Sequence, residues 1–191
     1  VIANALHKRL NAWVVLCHDF SAVECAISVS NGELSLALVN HVMPGAEDGE
    51  AIDRCLDAGI PTVVITSSFT PKKRRQILER DILDYIIKDS PASIDYIVNL
   101  VQRVEKNRSV KVVVADDSAL MRRSVAKMLR EYQLEVLEAS DGVEALDLLT
   151  RHPDVKLLVT DHDMPRRHGA QLIKAARQGF SPDDLFIIGL S

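Results

Sequence analysis

The chain has 191 residues, of which 47% are hydrophobic and 26% charged, and its formal net charge is −4. This composition is ordinary for a globular protein with a core of its own, and the acidic balance argues against a nucleic-acid surface. No stretch approaches the ~20 apolar residues of a membrane span, and no signal peptide is recognisable, so we expect a cytoplasmic protein. Three irregularly spaced cysteines indicate reduced, packed thiols: Cys17, Cys25 and Cys55.

The first half of the chain alternates helical and strand patterns. A helix is predicted near residues 3–10, and the apolar run at residues 13–16 predicts a short strand. The later elements are a strand at 38–40, a helix around 52–56, strands at 62–65 and 83–88, and a helix at about 94–104. The basic run at 72–75 follows Thr70-Pro71, a predicted helix start, and is interpreted as a solvated helix face.

The second half repeats this alternation from its beginning. Strands are predicted at 112–115, 134–137, 157–159 and 185–188. Between them lie helical patterns, one of which begins at Asp141, a predicted N-cap with Glu144 three residues later. Continuous apolar strands alternating with helices predict a doubly wound parallel sheet of the α/β class.

An internal repeat divides the chain. Asp161 ends a strand and lies 121 residues after Asn40, which ends another. The two stretches are Leu38-Val39-Asn40-His41-Val42-Met43-Pro44 and Val159-Thr160-Asp161-His162-Asp163-Met164-Pro165. We therefore predict two small domains, residues 1–106 and 110–191, joined by a linker near 106–109. We expect each to be incomplete, the first without its opening strand and the second without its last strand and helix.

Carboxylates follow two predicted strands of the second domain. Asp116 and Asp117 come directly after the strand at 112–115, and Asp161 ends the strand at 157–159. Ligands of open parallel sheets bind outside the carboxyl ends of the strands, so these side chains are expected to share a pocket. Such a pocket suits a hard divalent cation and leaves one aspartate placed to react.

This arrangement of Asp116-Asp117, Asp161 before Met164-Pro165, and a later Ser191 resembles response-regulator receiver domains, here in tandem. The resemblance implies two flavodoxin-like receiver domains in which Asp161 is the phosphoacceptor and takes a phosphoryl group from a phosphohistidine. It implies Mg²⁺ held by four residues: Asp117 and Asp161 directly, Asp116 through water, and Asp163 through its main-chain carbonyl. Ser191 would be the switch hydroxyl, and the family's strand-end lysine would lie beyond this chain.

The first copy departs from the family at its central position. Asn40 stands where the phosphoacceptor belongs, and a carboxamide cannot form an acyl phosphate by this route. Thr66, Tyr85 and Lys88 match the hydroxyl, aromatic and lysine positions. The resemblance therefore implies a non-phosphorylatable first receiver that serves interaction or dimerisation. The second copy departs less, with Arg166-Arg167-His168-Gly169 in place of the usual Met-Asp-Gly ending.

The family assignment implies a signalling module and not an independent enzyme. The implied partners are a sensor histidine kinase or a phosphotransfer protein, a second copy of the chain, and an output domain outside this chain, for which we predict a GGDEF diguanylate cyclase. Two alternatives stay open. One is a Mg²⁺-dependent phosphatase with Asp161 as nucleophile and Asp163 as acid, and the other is a structural receiver pair that is never phosphorylated. His162 and His168, which flank the site, are interpreted as surface or packing residues.

Overall fold

A computed structural model describes residues 1–67 and 71–190, with only the backbone described at residues 71–73 and 76. Two predicted features, the helix cap at Thr70 and the hydroxyl of Ser191, lie outside the described residues. The chain divides into two compact units, Val1–Glu105 (unit 1) and Lys106–Ser191 (unit 2). Among the described residues no helix is long and apolar enough to cross a membrane.

Unit 1 is built on a three-stranded parallel sheet in the order β1-β2-β3. The central strand β2 is almost wholly buried because apolar helices and loops cover both of its faces. The described elements that begin in unit 1 are α1 (Ile2–Leu10), α2 (Phe20–Val29), β1 (Ala37–Asn40), α3 (Glu50–Asp57), β2 (Thr62–Thr66), α4 (Pro71–Leu78), β3 (Asp84–Ile87) and α5 (Pro91–Asn107), whose last two residues belong to unit 2.

The prediction of a strand at residues 13–16 is wrong. This segment has no regular secondary structure, and the side chain of Trp13 is 93% exposed. A strand needs a hydrogen-bonding neighbour, and in unit 2 the corresponding segment pairs with a strand that lies between it and the rest of the sheet. No described residue of unit 1 supplies that intervening strand beside β1. Apolar composition alone therefore does not make residues 13–16 a strand.

Unit 2 has a four-stranded parallel sheet in the order β5-β4-β6-β7. The order reverses beside β4, because the chain passes first to one side of this strand and then to the other. Its described elements are β4 (Lys111–Ala115), α6 (Ala119–Glu131), β5 (Glu135–Ala139), α7 (Gly142–Arg151), β6 (Val155–Asp161), α8 (Gly169–Gly179) and β7 (Phe186–Leu190).

The core of unit 2 lies on both faces of this sheet. On one face, Leu149 of α7 and Leu172 of α8 are fully buried against Val113 and Leu158. On the other face, Ala126 of α6 belongs to a second apolar cluster with residues of β4, β5 and β6. Helices on both faces of a parallel sheet make the unit doubly wound, which confirms the predicted α/β class of the chain.

Candidate functional site

The site of unit 2 lies at the carboxyl ends of β4 and β6, the two central strands of its sheet. These strands pair in parallel, with Ala115 opposite Thr160, so the residues that follow β4 lie beside the last residue of β6. Carboxylate oxygens of Asp116, Asp117 and Asp161 all lie within 4.8 Å of one another. The structure thus brings Asp161 to an adjacent pair of aspartates that lies more than forty positions earlier in the sequence.

The three carboxylates differ in exposure. Asp116 is buried, Asp117 is exposed and Asp161 is intermediate. Burial raises the pKa of Asp116 above its ordinary value, and the negative charges of Asp161 and Asp117 raise this pKa further. The backbone N–H of Ser118 donates to Asp116 Oδ1 at 2.8 Å, and this hydrogen bond lowers the pKa of Asp116. The cluster therefore brings three carboxylates together, of which the buried Asp116 is the least screened by solvent.

These residues fit a hard divalent cation. Carboxylate oxygens are the ligands that Mg²⁺ prefers, and a bound cation would offset the repulsion that raises the pKa of Asp116. The backbone of one candidate ligand, Asp116, is also fixed, because Arg122 donates a hydrogen bond to the Asp116 carbonyl oxygen at 2.7 Å. Sequence reasoning did not single out Arg122, since its role depends on a helix turn that brings it back to the strand end.

The segment between β6 and α8 is fixed onto the strand that carries Asp161. Met164 is 2% exposed and belongs to the core of unit 2. The N–H of Gly169 donates to the His162 carbonyl oxygen at 3.0 Å. A Cβ atom on Gly169 would lie 2.3 Å from the Asp161 carbonyl oxygen, so only glycine fits there. The loop therefore leaves the Asp161 backbone little freedom.

The remaining predicted site residues lie around this cluster. The side chain of Asp163 is exposed and is not among the clustered carboxylates, and the prediction for its main-chain carbonyl stays a prediction. Leu190 pairs with Asp161 in the β6–β7 register, and Ser191 itself lies outside the described residues. His162 is exposed, and so is His168 at the N-cap of α8.

In unit 1 the corresponding strand end carries an amide and a cation. Lys88 Nζ donates to Asn40 Oδ1 at 2.8 Å, and the Lys88 backbone N–H donates to the Thr66 carbonyl oxygen. Because β1, β2 and β3 are parallel, their carboxyl ends lie at the same edge of the sheet. The described part of unit 1 contains no cluster of carboxylates like that of unit 2.

Comparison with known proteins relates the chain to signalling proteins. Residues 112–191 match the model of the response regulator receiver domain. The chain is 46% identical to a chemotaxis protein CheY homologue of Campylobacter jejuni over 80 residues. These 80 residues are 41% of this chain and 62% of that protein. It is also 44% identical to the chemotaxis protein CheY1 of Helicobacter pylori over 69 residues. This match covers 36% of this chain and 56% of that protein. The chain thus spans less than two thirds of these relatives.

A crystal structure of a putative two-component system response regulator/GGDEF domain protein resembles the whole chain. The TM-score is 0.86 at 35% identity, and the match covers 100% of this chain and 76% of the other. The likeness therefore includes residues 1–111, which the receiver-domain model does not match.

Proposed function

Residues 112–191 belong to the response regulator receiver family of two-component signalling, and from this we propose that Asp161 accepts a phosphoryl group from a phosphohistidine. The observation that carries the proposal is the cluster of Asp116, Asp117 and Asp161 at the ends of two paired strands. In the proposed step, an Asp161 carboxylate oxygen forms a bond to phosphorus while the P–N bond of the phosphohistidine breaks. The products are an acyl phosphate on Asp161 and an imidazole that takes up a proton.

The other residues of the site bind and orient. Asp116 and Asp117 supply negatively charged ligands for Mg²⁺, with the main-chain carbonyl of Asp163 as a further proposed ligand. A bound Mg²⁺ would neutralise the oxygens of the incoming phosphoryl group. Arg122 holds the Asp116 backbone, and Gly169 lets α8 begin directly against Asp161. Ser191 is proposed as the switch hydroxyl because Leu190, the residue before it, lies beside Asp161 in the sheet register.

The test is incubation with acetyl phosphate and Mg²⁺, followed by intact mass spectrometry. We expect one added phosphoryl group, none with Asp161→Asn, and an unchanged result with Asp147→Asn, which alters an exposed aspartate on α7. Phosphorylation that survives Asp161→Asn would contradict the assignment of Asp161. Release of phosphate from p-nitrophenyl phosphate would instead favour the phosphatase, and no reaction in either assay would favour a purely structural pair.

For the first half of the chain we propose a receiver-like domain, residues 1–106, that interacts and is not phosphorylated. Its support is the strand end where Asn40 replaces a carboxylate and accepts a hydrogen bond from Lys88. The second domain, residues 110–191, would receive the signal from a sensor histidine kinase or a phosphotransfer protein. Analytical ultracentrifugation before and after phosphorylation tests the proposed homodimer, and a monomer under both conditions would contradict it.

We propose a GGDEF domain as the output. The support is the likeness to a response regulator/GGDEF domain protein, which is 35% identical over the whole of the present chain. Full-length protein is expected to convert GTP to cyclic di-GMP, and phosphorylation of Asp161 is expected to change the rate. A full-length sequence that encodes no nucleotide cyclase would contradict this assignment and leave the receiver function untouched.

A further inference from the structure

Arg166 occupies a backbone conformation that glycine normally takes. Its φ is 63°, in the left-handed region. The residue 121 positions earlier, at the same place in the repeated motif, is Gly45, with φ 80°. A side chain in this region is disfavoured by about 1–2 kcal/mol because its Cβ approaches the next carbonyl oxygen. The two loops therefore share a turn, and only the loop beside Asp161 places a long cationic side chain there.

The side chain of Arg166 pairs with a buried carboxylate. Arg166 Nη2 bonds to Asp141 Oδ2, and the Asp141 side chain is only 3% exposed. The other oxygen, Oδ1, accepts from the N–H groups of Val143 (2.8 Å) and Glu144 (3.0 Å) and caps α7. The carboxylate is thus already held by a helix terminus, so only Arg166, whose side chain is 62% exposed, loses side-chain freedom when the ion pair forms.

The same two segments also touch through their backbones. A Cβ on Gly142 would lie 2.4 Å from the Arg167 carbonyl oxygen. The loop after β6 is therefore held at three points, by Gly169 on Asp161, by Met164 in the core, and by the Arg166 and Arg167 contacts to the start of α7.

Unit 1 joins the corresponding segments differently. There the N–H of Phe20, at the start of α2, donates to the Pro44 carbonyl oxygen at 3.0 Å, and a Cβ on Gly45 would lie 3.4 Å from Phe20 Cβ. The loop beside Asn40 is also held by backbone hydrogen bonds between Met43 and Ala46 and by Arg80, which donates to the Asp48 carbonyl oxygen. At the left-handed position itself, unit 1 has a glycine, whereas unit 2 has an arginine that pairs with the N-cap of the neighbouring helix, beside the strand end that carries the carboxylate cluster.

We propose that Arg166 is a positioning residue for the metal site: its ion pair with Asp141 holds the loop after β6 so that Asp161 stays within reach of Asp116 and Asp117. Arg166 touches none of the three carboxylates in this role and acts through the loop backbone. The proposal rests on the proposed function, because it assigns Mg²⁺ to that cluster. Removing a group that orients a metal ligand typically weakens metal binding about 10-fold or more.

The test uses Arg166→Gly, which gives unit 2 the residue that unit 1 already has at this turn and introduces no backbone strain. Asp141→Asn is the partner variant, because the carboxamide oxygen can still cap α7. The matched control is Arg151→Gln, which removes an exposed Arg–Asp pair at the opposite end of α7 from Asp141. Calorimetry measures Mg²⁺ affinity, and amide hydrogen exchange of Gly169 in metal-free protein measures the loop itself.

We expect Arg166→Gly and Asp141→Asn each to weaken Mg²⁺ binding about 10-fold and to speed exchange at the Gly169 amide. The double variant should be no worse than either single variant, because both remove the same interaction. Arg151→Gln should match the wild type in both measurements. Wild-type Mg²⁺ affinity in Arg166→Gly, or additive losses in the double variant, would overturn the proposal.

The two proposals fail in different ways. A wild-type protein that binds Mg²⁺ but takes no phosphoryl group from acetyl phosphate would refute the proposed function and leave the role of Arg166 standing. A protein that is phosphorylated at Asp161 with equal Mg²⁺ dependence in wild type and Arg166→Gly would refute the role of Arg166 alone. No Mg²⁺ binding by the wild type would overturn both.

Discussion

Asp116 is the residue in which stability and the proposed function oppose each other. It is buried, and two further carboxylates lie within 4.8 Å of its own. Repulsion between two unit charges at ~4 Å is about 1 kcal/mol even in water. The folded state tolerates this arrangement because the Ser118 N–H and Arg122 bind the same residue. A cation in the cluster would turn the repulsion into ligand attraction.

Asp116→Asn is therefore expected to stabilise the metal-free protein by about 1 kcal/mol, since it removes a negative charge and keeps an acceptor for Ser118. The same change should abolish most of the stabilisation that Mg²⁺ confers on the wild type. Thermal unfolding with and without Mg²⁺ measures both effects. Asp147→Asn, which changes an exposed carboxylate, should leave the Mg²⁺ effect intact. A metal-free Asp116→Asn protein less stable than the wild type would contradict this account.

At the scale of elements, the start of α7 supports both the fold and the site. Asp141 caps the helix, as predicted from the sequence, while Glu144 accepts from the N–H and hydroxyl of Ser140, both at 2.8 Å. These hydrogen bonds hold the pKa of Glu144 below its usual 4.5. They also stiffen the turn that presents Asp141 to Arg166.

Glu144→Gln tests this cap through its pH dependence. A carboxyl whose pKa is lowered on folding stabilises the protein above its unfolded pKa, and that contribution disappears as the pH falls through the folded value. We expect a loss of about 0.5–1 kcal/mol at pH 7, shrinking towards zero in acid. Urea unfolding of the wild type and the variant, at pH 7 and in acid, measures this difference in the free energy of unfolding. Asp183→Asn, at an exposed position outside the helix, serves as the control. A loss that is constant with pH would contradict the assignment.

Two glycines of α8 provide a matched pair for the contact between this helix and β6. A Cβ on Gly169 would meet the Asp161 carbonyl oxygen at 2.3 Å, whereas a Cβ on Gly179 would meet nothing within 4 Å. Gly169→Ala is expected to destabilise unit 2 by about 1–3 kcal/mol, because the strand or the helix must shift. Gly179→Ala should be neutral or slightly stabilising, since alanine favours helix.

Chemical denaturation measures the free energy of unfolding of both glycine variants, and the acetyl phosphate assay measures how fast each variant is phosphorylated. Gly169→Ala should also slow phosphorylation, because the backbone that moves is that of Asp161. Equal stability of the two alanine variants would show that α8 does not begin against Asp161.

At the scale of the whole molecule, two units with similar motifs differ in what their strand ends carry. Unit 2 has a cluster of three carboxylates, and the described part of unit 1 has Asn40 bound by Lys88. The residue after Met-Pro is left-handed in both units, whereas among the described residues the acidic cluster lies in unit 2 alone. Similar backbones therefore do not imply similar chemistry, which depends on side chains at a few strand ends.

Asn40→Asp is expected to leave the stoichiometry at one phosphoryl group per chain. The new carboxylate would pair with Lys88, and the described part of unit 1 holds no group of three metal-ligating side chains like that of unit 2. Intact mass after acetyl phosphate treatment measures the stoichiometry, and peptide mapping should place the group on Asp161. A second phosphoryl group that maps to residue 40 would contradict the inactive assignment of unit 1.

Much of this molecule was predictable from the sequence because the relevant signals are local. The periodicity of apolar residues indicated the helices and strands of unit 2, and Asp141 marked the start of α7. The repeat of Asn40 and Asp161 indicated two related segments. Clustering of Asp116 and Asp161 followed from one general rule, that parallel strands end at the same edge of a sheet.

By itself, then, the sequence determined the α/β class and the carboxylates that follow the strands, since both depend on neighbours along the chain. Only the tertiary structure decided that residues 13–16 form no strand, because pairing requires a partner from elsewhere in the chain. It also decided that Arg166 meets Asp141, 25 residues earlier, and that Gly169 must lack a side chain. These contacts join segments that the fold alone brings together, so no local pattern could have contained them.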